Sequence, residues 1–192
     1  MKLIQHLLVF CIVTAGASAQ ELSPVHIHFQ KRIPNAEGIE LSANIYLPAN
    51  TSERNPALLA LTPYGVDNMH ADAMWYARRG YAVVIADCRG RGNSEGRFVP
   101  FEYDGSDAYD ICRWIGKQEW SNGKVGMFGG SYLGMIQWLA MAYRPKELRT
   151  IVPTAAVAPG IDFPFFNNIF YTYNAQWLAL TLGRTTAMNA FH

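Results

Sequence analysis

Cysteine is scarce in this sequence, neither sign of charge prevails, and no apolar run is long. The three cysteines in 192 residues match no zinc-ligand spacing, so nothing points to a metal-stapled fold. Lys and Arg number 16 against 15 Asp and Glu, for a formal net charge of +1. Without a basic stripe the chain offers no footprint for nucleic acid. It has no run of like charge and no low-complexity tract, which argues against a disordered tail. No internal repeat is visible, which argues against a solenoid. The apolar run at residues 7–13 is too short to cross a bilayer, so no stable membrane anchor is expected. His26 and His28 are the one close histidine pair, and they alternate along HIHF as one face of a strand. What the chain does have is apolar and aromatic content, 50% and 13% of residues, enough for one domain with a buried core.

The N-terminus MKLIQHLLVFCIVTAGASAQ reads as a secretory signal peptide. Lys2 gives the basic start, residues 7–13 the apolar run, and Ala17-Ser18-Ala19 the small residues for cleavage after Ala19. Phe10 precedes Cys11, so the lipoprotein pattern is not met. The mature chain is expected in a periplasm or the medium. Cys88 and Cys112 remain after cleavage and are expected as buried thiols that do not meet.

Strand and helix signals then alternate. Residues 25–32 and 39–47 read as paired strands around a turn at 35–38. ALLALT at 57–62 and YAVVIA at 81–86 are apolar runs that suit strands buried on both faces. Residues 69–79 and 102–117 carry helical spacing, the second with Tyr109, Ile111, Trp114 and Ile115 as apolar contacts. A strand at 124–128, a helix at 132–143 and a strand at 150–153 follow. The alternation predicts an α/β fold: a mostly parallel sheet, helices on both faces, and an antiparallel edge. From residue 155 the sequence turns aromatic and reads as the start of a helical cap. The expected organisation is therefore a signal peptide at 1–19, the N-terminal part of the core at 20–154, and the beginning of a cap at 155–192.

The stretch KVGMFGGSYLGM at 124–135 runs from an apolar strand through two glycines into Ser131 and a helix. A serine hydroxyl is a weak nucleophile unless a base takes its proton and the geometry exposes it. A sharp strand-to-helix turn does the second, and it crowds the backbone so that small residues must flank the serine. Such a turn also brings the serine to a helix N-terminus, whose free N–H groups stabilise an oxyanion. A glycine-rich turn that binds phosphate is the alternative. The general pattern G-x-S-x-G fails by one place, because Leu133 stands two after the serine and Gly134 three after. GRGNSEG at 90–96 departs from the dinucleotide fingerprint and follows a later strand, so it reads as structural, with Asp87 and Arg89 holding the loop. Asp104, Asp107 and Asp110 read as a capping and solvated set near a helix start.

The pattern as it stands, G-x-S-Y-x-G, resembles the nucleophile motif of the CocE/NonD hydrolases. That group takes in cocaine esterase, α-amino-acid ester hydrolases, cephalosporin acylases and X-prolyl dipeptidyl peptidases. LTPYG, YARRGYAVVIADCRGRGNSEG and EYDGSDAYDICRWIGKQEWSNGKVGMFGGSYLG resemble further segments of the same family, over roughly residues 33–153. The resemblance implies an α/β-hydrolase fold with Ser131 as nucleophile. It implies two oxyanion donors, the backbone N–H of Tyr132 and the side-chain hydroxyl of Tyr64. A side-chain donor suits this loop, since Pro63 has no N–H to give. No cofactor or metal is implied. The implied partner is a small ester, amide or peptide substrate, including X-Pro dipeptidyl bonds, and an oligomer is left open.

In this fold the acid and then the histidine follow the serine. After Ser131 the sequence holds Glu147, Asp162 and the terminal His192 as its carboxylates and histidine. None is a good base on sequence grounds, so the chain reads as the N-terminal fragment of a serine hydrolase. The alternative is a hydrolase-like binding protein without a complete triad. Phe165, Phe166, Tyr171 and Trp177 read as cap core, with an acyl pocket as their other possible use.

Overall fold

The computed structural model describes residues 22–49, 53–158, 160–181 and 183–185. The signal segment and His192 lie outside the described residues. Strand β1 (Val25–Pro34) and strand β2 (Glu40–Pro48) form an antiparallel hairpin around Asn35, whose side-chain oxygen accepts the N–H groups of Glu37 and Ile39. Strands β3 (Asn55–Thr62), β4 (Ala82–Asp87), β5 (Ser121–Gly130) and β6 (Leu148–Thr154) complete a six-stranded sheet of order β1-β2-β4-β3-β5-β6. β2 meets β4 antiparallel, while β4–β3, β3–β5 and β5–β6 are parallel. All six residues of β4 are buried, so the sheet is covered on both faces there, as its unbroken apolar run requires.

Three helices provide the cover. Helix α1 (His70–Ala77) packs on β2 and β4, and its Tyr76 reaches Phe128 of β5. Helices α2 (Asp104–Gly116) and α3 (Tyr132–Tyr143) pack on each other and on β3 and β5. The helix expected at 69–79 is shorter at both ends: a 3₁₀ turn (Val66–Met69) leads into it, and it stops at Ala77 in a turn before Gly80. α3 stops where Arg144 takes a left-handed conformation before Pro145. Residues beyond β6 form a two-strand ribbon, β7 (Phe165–Phe166) with β8 (Ile169–Phe170), and helix α4 (Thr172–Thr181). Cys88 and Cys112 are buried and unbridged.

Two expectations are corrected. Asp104 and Asp107 are not a solvated capping pair: they are 3% and 1% exposed, and α2 carries no side-chain cap bond. Both are drawn inward by donors. Asp104 accepts the Tyr132 hydroxyl and, at 3.0 Å, the Phe101 N–H, while Asp107 binds Arg89 at 2.7 Å and Asn35 at 2.9 Å. Phe165 and Phe166 are not cap core either, being 52% and 60% exposed on a ribbon two residues wide.

The parallel strands β3, β4 and β5 all end on one side of the sheet. Tyr64 follows β3, the 88–103 loop follows β4, and Ser131 follows β5. Ligands of open parallel sheets bind outside the carboxyl ends of the strands, so the chain's loops converge where a site is expected.

Candidate active site

Ser131 sits at the junction of β5 and α3 with φ 55° and ψ −118°, a region almost closed to residues with a side chain. The strain is held from both sides. Its N–H donates to Thr154 O of β6 at 2.8 Å, and its carbonyl accepts the Met135 N–H at 3.1 Å as α3 begins. The flanking glycines explain the spacing of the motif. A Cβ on Gly129, whose φ is 131°, would lie 2.7 Å from the Cβ of Leu133. A Cβ on Gly134 would lie 3.0 Å from that of Ala156 and 3.1 Å from Thr154 O. The glycine that lets α3 approach the end of β6 is therefore three after the serine. The position two after it carries Leu133, which fills the space above Gly129. The Ser131 residue is exposed.

Tyr132 opens α3, so its N–H is among the helix-start donors that have no intrahelical acceptor. Its side chain anchors that start. The phenol donates to Asp104 and accepts the Phe101 N–H at 2.9 Å, and its ring stacks against Phe101 at 4.2 Å and Trp177 at 5.5 Å, which also stack on each other at 6.5 Å. Burial raises the Tyr132 phenol far above its ordinary range, and the Asp104 charge pushes the same way, so it is a neutral donor. Burial also raises the Asp104 carboxyl, to about 6, against the lowering effect of its hydrogen bonds from Tyr132, Cys88 and Phe101.

Tyr64 stands across the pocket, half-buried. It lines the same pocket as Ser131, and the Trp177 indole N–H donates to the phenol oxygen at 3.0 Å. Burial raises this phenol above its ordinary value, and the bond from Trp177 works the other way. One residue earlier, Pro63 O accepts the Nε–H of Arg91 at 2.7 Å. The 88–103 loop is built around these contacts. Asp87 accepts the Val66 N–H at 3.1 Å, and a Cβ on Gly92 would fall 2.2 Å from the Asp87 carboxylate. Burial lifts Asp87 to about 6. Arg89 grips Glu37 and Asp107, each at 2.7 Å, and so ties the loop to the β1–β2 turn and to α2.

These groups surround a pocket of about 240 Å³. Ser131, Tyr64 and Tyr132 line it with Phe163, Tyr171 and Trp177, and Asp162 and Asn174 add polar groups. Tyr171 and Trp177 thus reach the pocket, while Phe165 and Phe166 do not line it. The structure brings the three expected residues Ser131, Tyr132 and Tyr64 to one place. Sequence reasoning missed Asp104 as the Tyr132 anchor, Arg91 as the Pro63 anchor, and Trp177 as the Tyr64 partner. Nothing in spacing alone signals these three, since each bond joins residues far apart in the chain.

A strained serine between a parallel strand and a helix, at the carboxyl edge of such a sheet, is the turn geometry of the α/β-hydrolase fold. A family model described as X-Pro dipeptidyl-peptidase (S15 family) matches residues 37–190, and the chain belongs to that family. It is 39% identical over 140 residues to the cocaine esterase of Rhodococcus sp. (strain MB1 Bresler), covering 70% of this chain and 24% of the esterase. It is 34% identical over 101 residues to an Xaa-Pro dipeptidyl-peptidase of Ligilactobacillus salivarius (strain UCC118), covering 44% of this chain and 13% of that protein. Among solved structures, an α-amino acid ester hydrolase superposes with a TM-score of 0.75 at 25% identity, over 92% of this chain and 34% of the other. A CocE/NonD family hydrolase from Staphylococcus aureus gives a TM-score of 0.60 at 25% identity, over 65% of this chain and 26% of the other. The chain therefore spans about a quarter of the length of the esterase it matches.

Proposed function

We propose that the protein is an exported serine hydrolase that cleaves ester or amide bonds, X-Pro dipeptidyl bonds included, through an acyl-enzyme on Ser131. The observation that carries this reading is the Ser131 backbone, held at φ 55° and ψ −118° on the wall of a pocket that Tyr64 also lines. No packing role needs a serine in that strained conformation.

In the first step Ser131 Oγ attacks the substrate carbonyl carbon and its proton passes to a base. We assign that base to a histidine outside the described residues. The carbonyl oxygen becomes an oxyanion and accepts hydrogen bonds from the Tyr132 N–H and the Tyr64 hydroxyl, donors already oriented before the reaction. The carbon–oxygen or carbon–nitrogen bond then breaks, and the base returns the proton to the leaving group. Water repeats the sequence on the acyl-enzyme and frees Ser131. The aromatic walls at Phe163, Tyr171 and Trp177 suit an apolar acyl group.

Ser131→Ala in the full-length gene product should lower kcat/KM for a p-nitrophenyl ester by about 10⁴-fold or more. It should also abolish labelling by an organophosphorus probe. Labelling retained in the active-site peptide would sink the assignment, and no labelling of the native protein would leave the binding-protein reading. Export rests on Lys2, the apolar residues 7–13 and the Ala17-Ser18-Ala19 site. The mature protein should start at Gln20 by mass spectrometry; an intact N-terminus on the secreted or periplasmic protein would contradict cleavage.

A further inference from the structure

Trp177 and Arg91 enclose Tyr64 in a closed circuit of hydrogen bonds. Trp177 Nε1–H donates to the Tyr64 hydroxyl at 3.0 Å. One turn on, the Thr181 hydroxyl bonds back to Trp177 O at 3.0 Å, and Thr181 O accepts Arg91 Nη1–H at 2.8 Å. Arg91 Nε–H then donates to Pro63 O at 2.7 Å, the carbonyl just before Tyr64. We infer that helix α4 of the cap sets the oxyanion donor, with Trp177 and Arg91 as positioning residues for Tyr64. This rests on the reading of Tyr64 as an oxyanion donor.

The physical case begins with the phenol. Its hydrogen prefers the ring plane and has two positions there. An indole N–H is a donor only, so Trp177 claims the oxygen from one side. The phenol hydrogen is left the other in-plane position, in the pocket that Ser131 also lines. A hydroxyl that accepts one hydrogen bond is also a stronger donor in the next, because the bonds polarise one another. A preset donor needs no reorganisation as the oxyanion forms.

The case for Arg91 is its cost. The guanidinium is 0% exposed, no carboxylate pairs with it among the described residues, and its Nη2 has no hydrogen-bond partner. Burying a cation that way is unfavourable, and an apolar side chain of similar size would fill the space more cheaply. What an apolar side chain could not do is bridge two carbonyls, one on the Tyr64 loop and one at the last turn of α4. The negative end of the α4 dipole at Thr181 favours a cation there.

A double-mutant cycle in the full-length gene product, read as kcat and KM on a p-nitrophenyl ester, tests the inference. Tyr64→Phe should lower kcat by roughly 10²-fold. Trp177→Phe should lower kcat by about tenfold in the native background and have almost no further effect beside Tyr64→Phe. Arg91→Lys, which keeps the charge and loses the bridge, should show the same non-additivity. Benzothienylalanine at position 177 keeps the ring shape without the N–H, so it should reproduce Trp177→Phe while folding normally. Equal losses from the 177 substitutions in both backgrounds would mean packing only and overturn the inference. A Tyr64→Phe variant with unchanged kcat would instead overturn the role of Tyr64 itself.

Discussion

In β4 every side chain is buried, whereas in the segment after β6 Ile161, Phe166 and Ile169 are 77%, 60% and 72% exposed. The two regions meet at Ser131 and contribute to it differently. The core supplies fixed points: a sheet whose strands β3, β4 and β5 deliver Tyr64, the 88–103 loop and Ser131 to one edge. The segment after β6 meets the core through side chains that include Phe163, Trp177, Leu180 and Arg184. Along α4 the buried ones are Asn174, Trp177 and Thr181, one face of the helix, while Leu178 beside them is 41% exposed. Asn174 binds Pro164 O within the segment itself, while Trp177 binds Tyr64 and Thr181 O takes Arg91 of the core. The core strands are held by apolar area, and the segment after β6 adds hydrogen bonds and stacked rings to a smaller apolar contact at Phe163, Trp177 and Leu180. A site at that junction has Ser131 fixed by the sheet edge and a partner surface with fewer buried side chains.

The strongest way to sharpen the contrast is to add the same methyl group to both regions. Gly129→Ala meets a φ of 131° and a contact of 2.7 Å with Leu133. Gly160→Ala in the cap segment meets a φ of 83° and nothing within 4 Å. Backbone strain and overpacking together should cost Gly129→Ala about 3–4 kcal/mol, and Gly160→Ala only the strain, about 1 kcal/mol. Urea unfolding of each variant measures both. Equal losses would erase the distinction between a crowded elbow and an open cap.

The next largest effect is electrostatic and belongs to the core. The Asp104 carboxyl is held at about 6, above the ordinary 3.8, chiefly because burial disfavours its charge. The folded chain therefore binds this proton more tightly than the unfolded chain does. The resulting stability is full below about pH 4 and is lost as pH rises through 6, up to about 3 kcal/mol in all. Asp104→Asn should flatten that part of the profile. Asp87, also lifted to about 6, should keep its own share of the slope. Thermal midpoints from pH 4 to 7 decide the matter, and an unchanged slope in Asp104→Asn would show that its carboxyl does not titrate there.

The same contrast explains which parts were legible in the sequence. The elbow was, because its strain is local: Gly129, Ser131 and Gly134 fall within six residues, and each needs its own small or strained position. The strands were, because burial on both faces demands runs such as AVVIAD. Asp104 was misread because a carboxylate at a helix start is usually solvated, and nothing near it in sequence announces the phenol of Tyr132, 28 residues on. Trp177 and Tyr64 are 113 residues apart. The buried face of α4 gave no apolar period to follow, since Asn174 and Thr181 are polar and the apolar Leu178 faces out. Arg91 lay among glycines that a tight turn already explained.

The smallest expected effect probes the ribbon. Phe165 pairs with Phe170 and Phe166 with Ile169, four apolar residues on two short strands, all more than 40% exposed. A side chain that buries little gains little from the hydrophobic effect, so Phe166→Ser should change stability by no more than about 0.5 kcal/mol. The comparison to make is with Trp177, one helix further on and 5% exposed, whose substitution removes both a stacked ring and a hydrogen bond. Urea unfolding of Phe166→Ser in the full-length gene product settles it. A loss of about 2 kcal/mol or more would mean that the ribbon is covered in solution. The cap would then be a packed element in its own right, and not a surface joined to the core chiefly through α4.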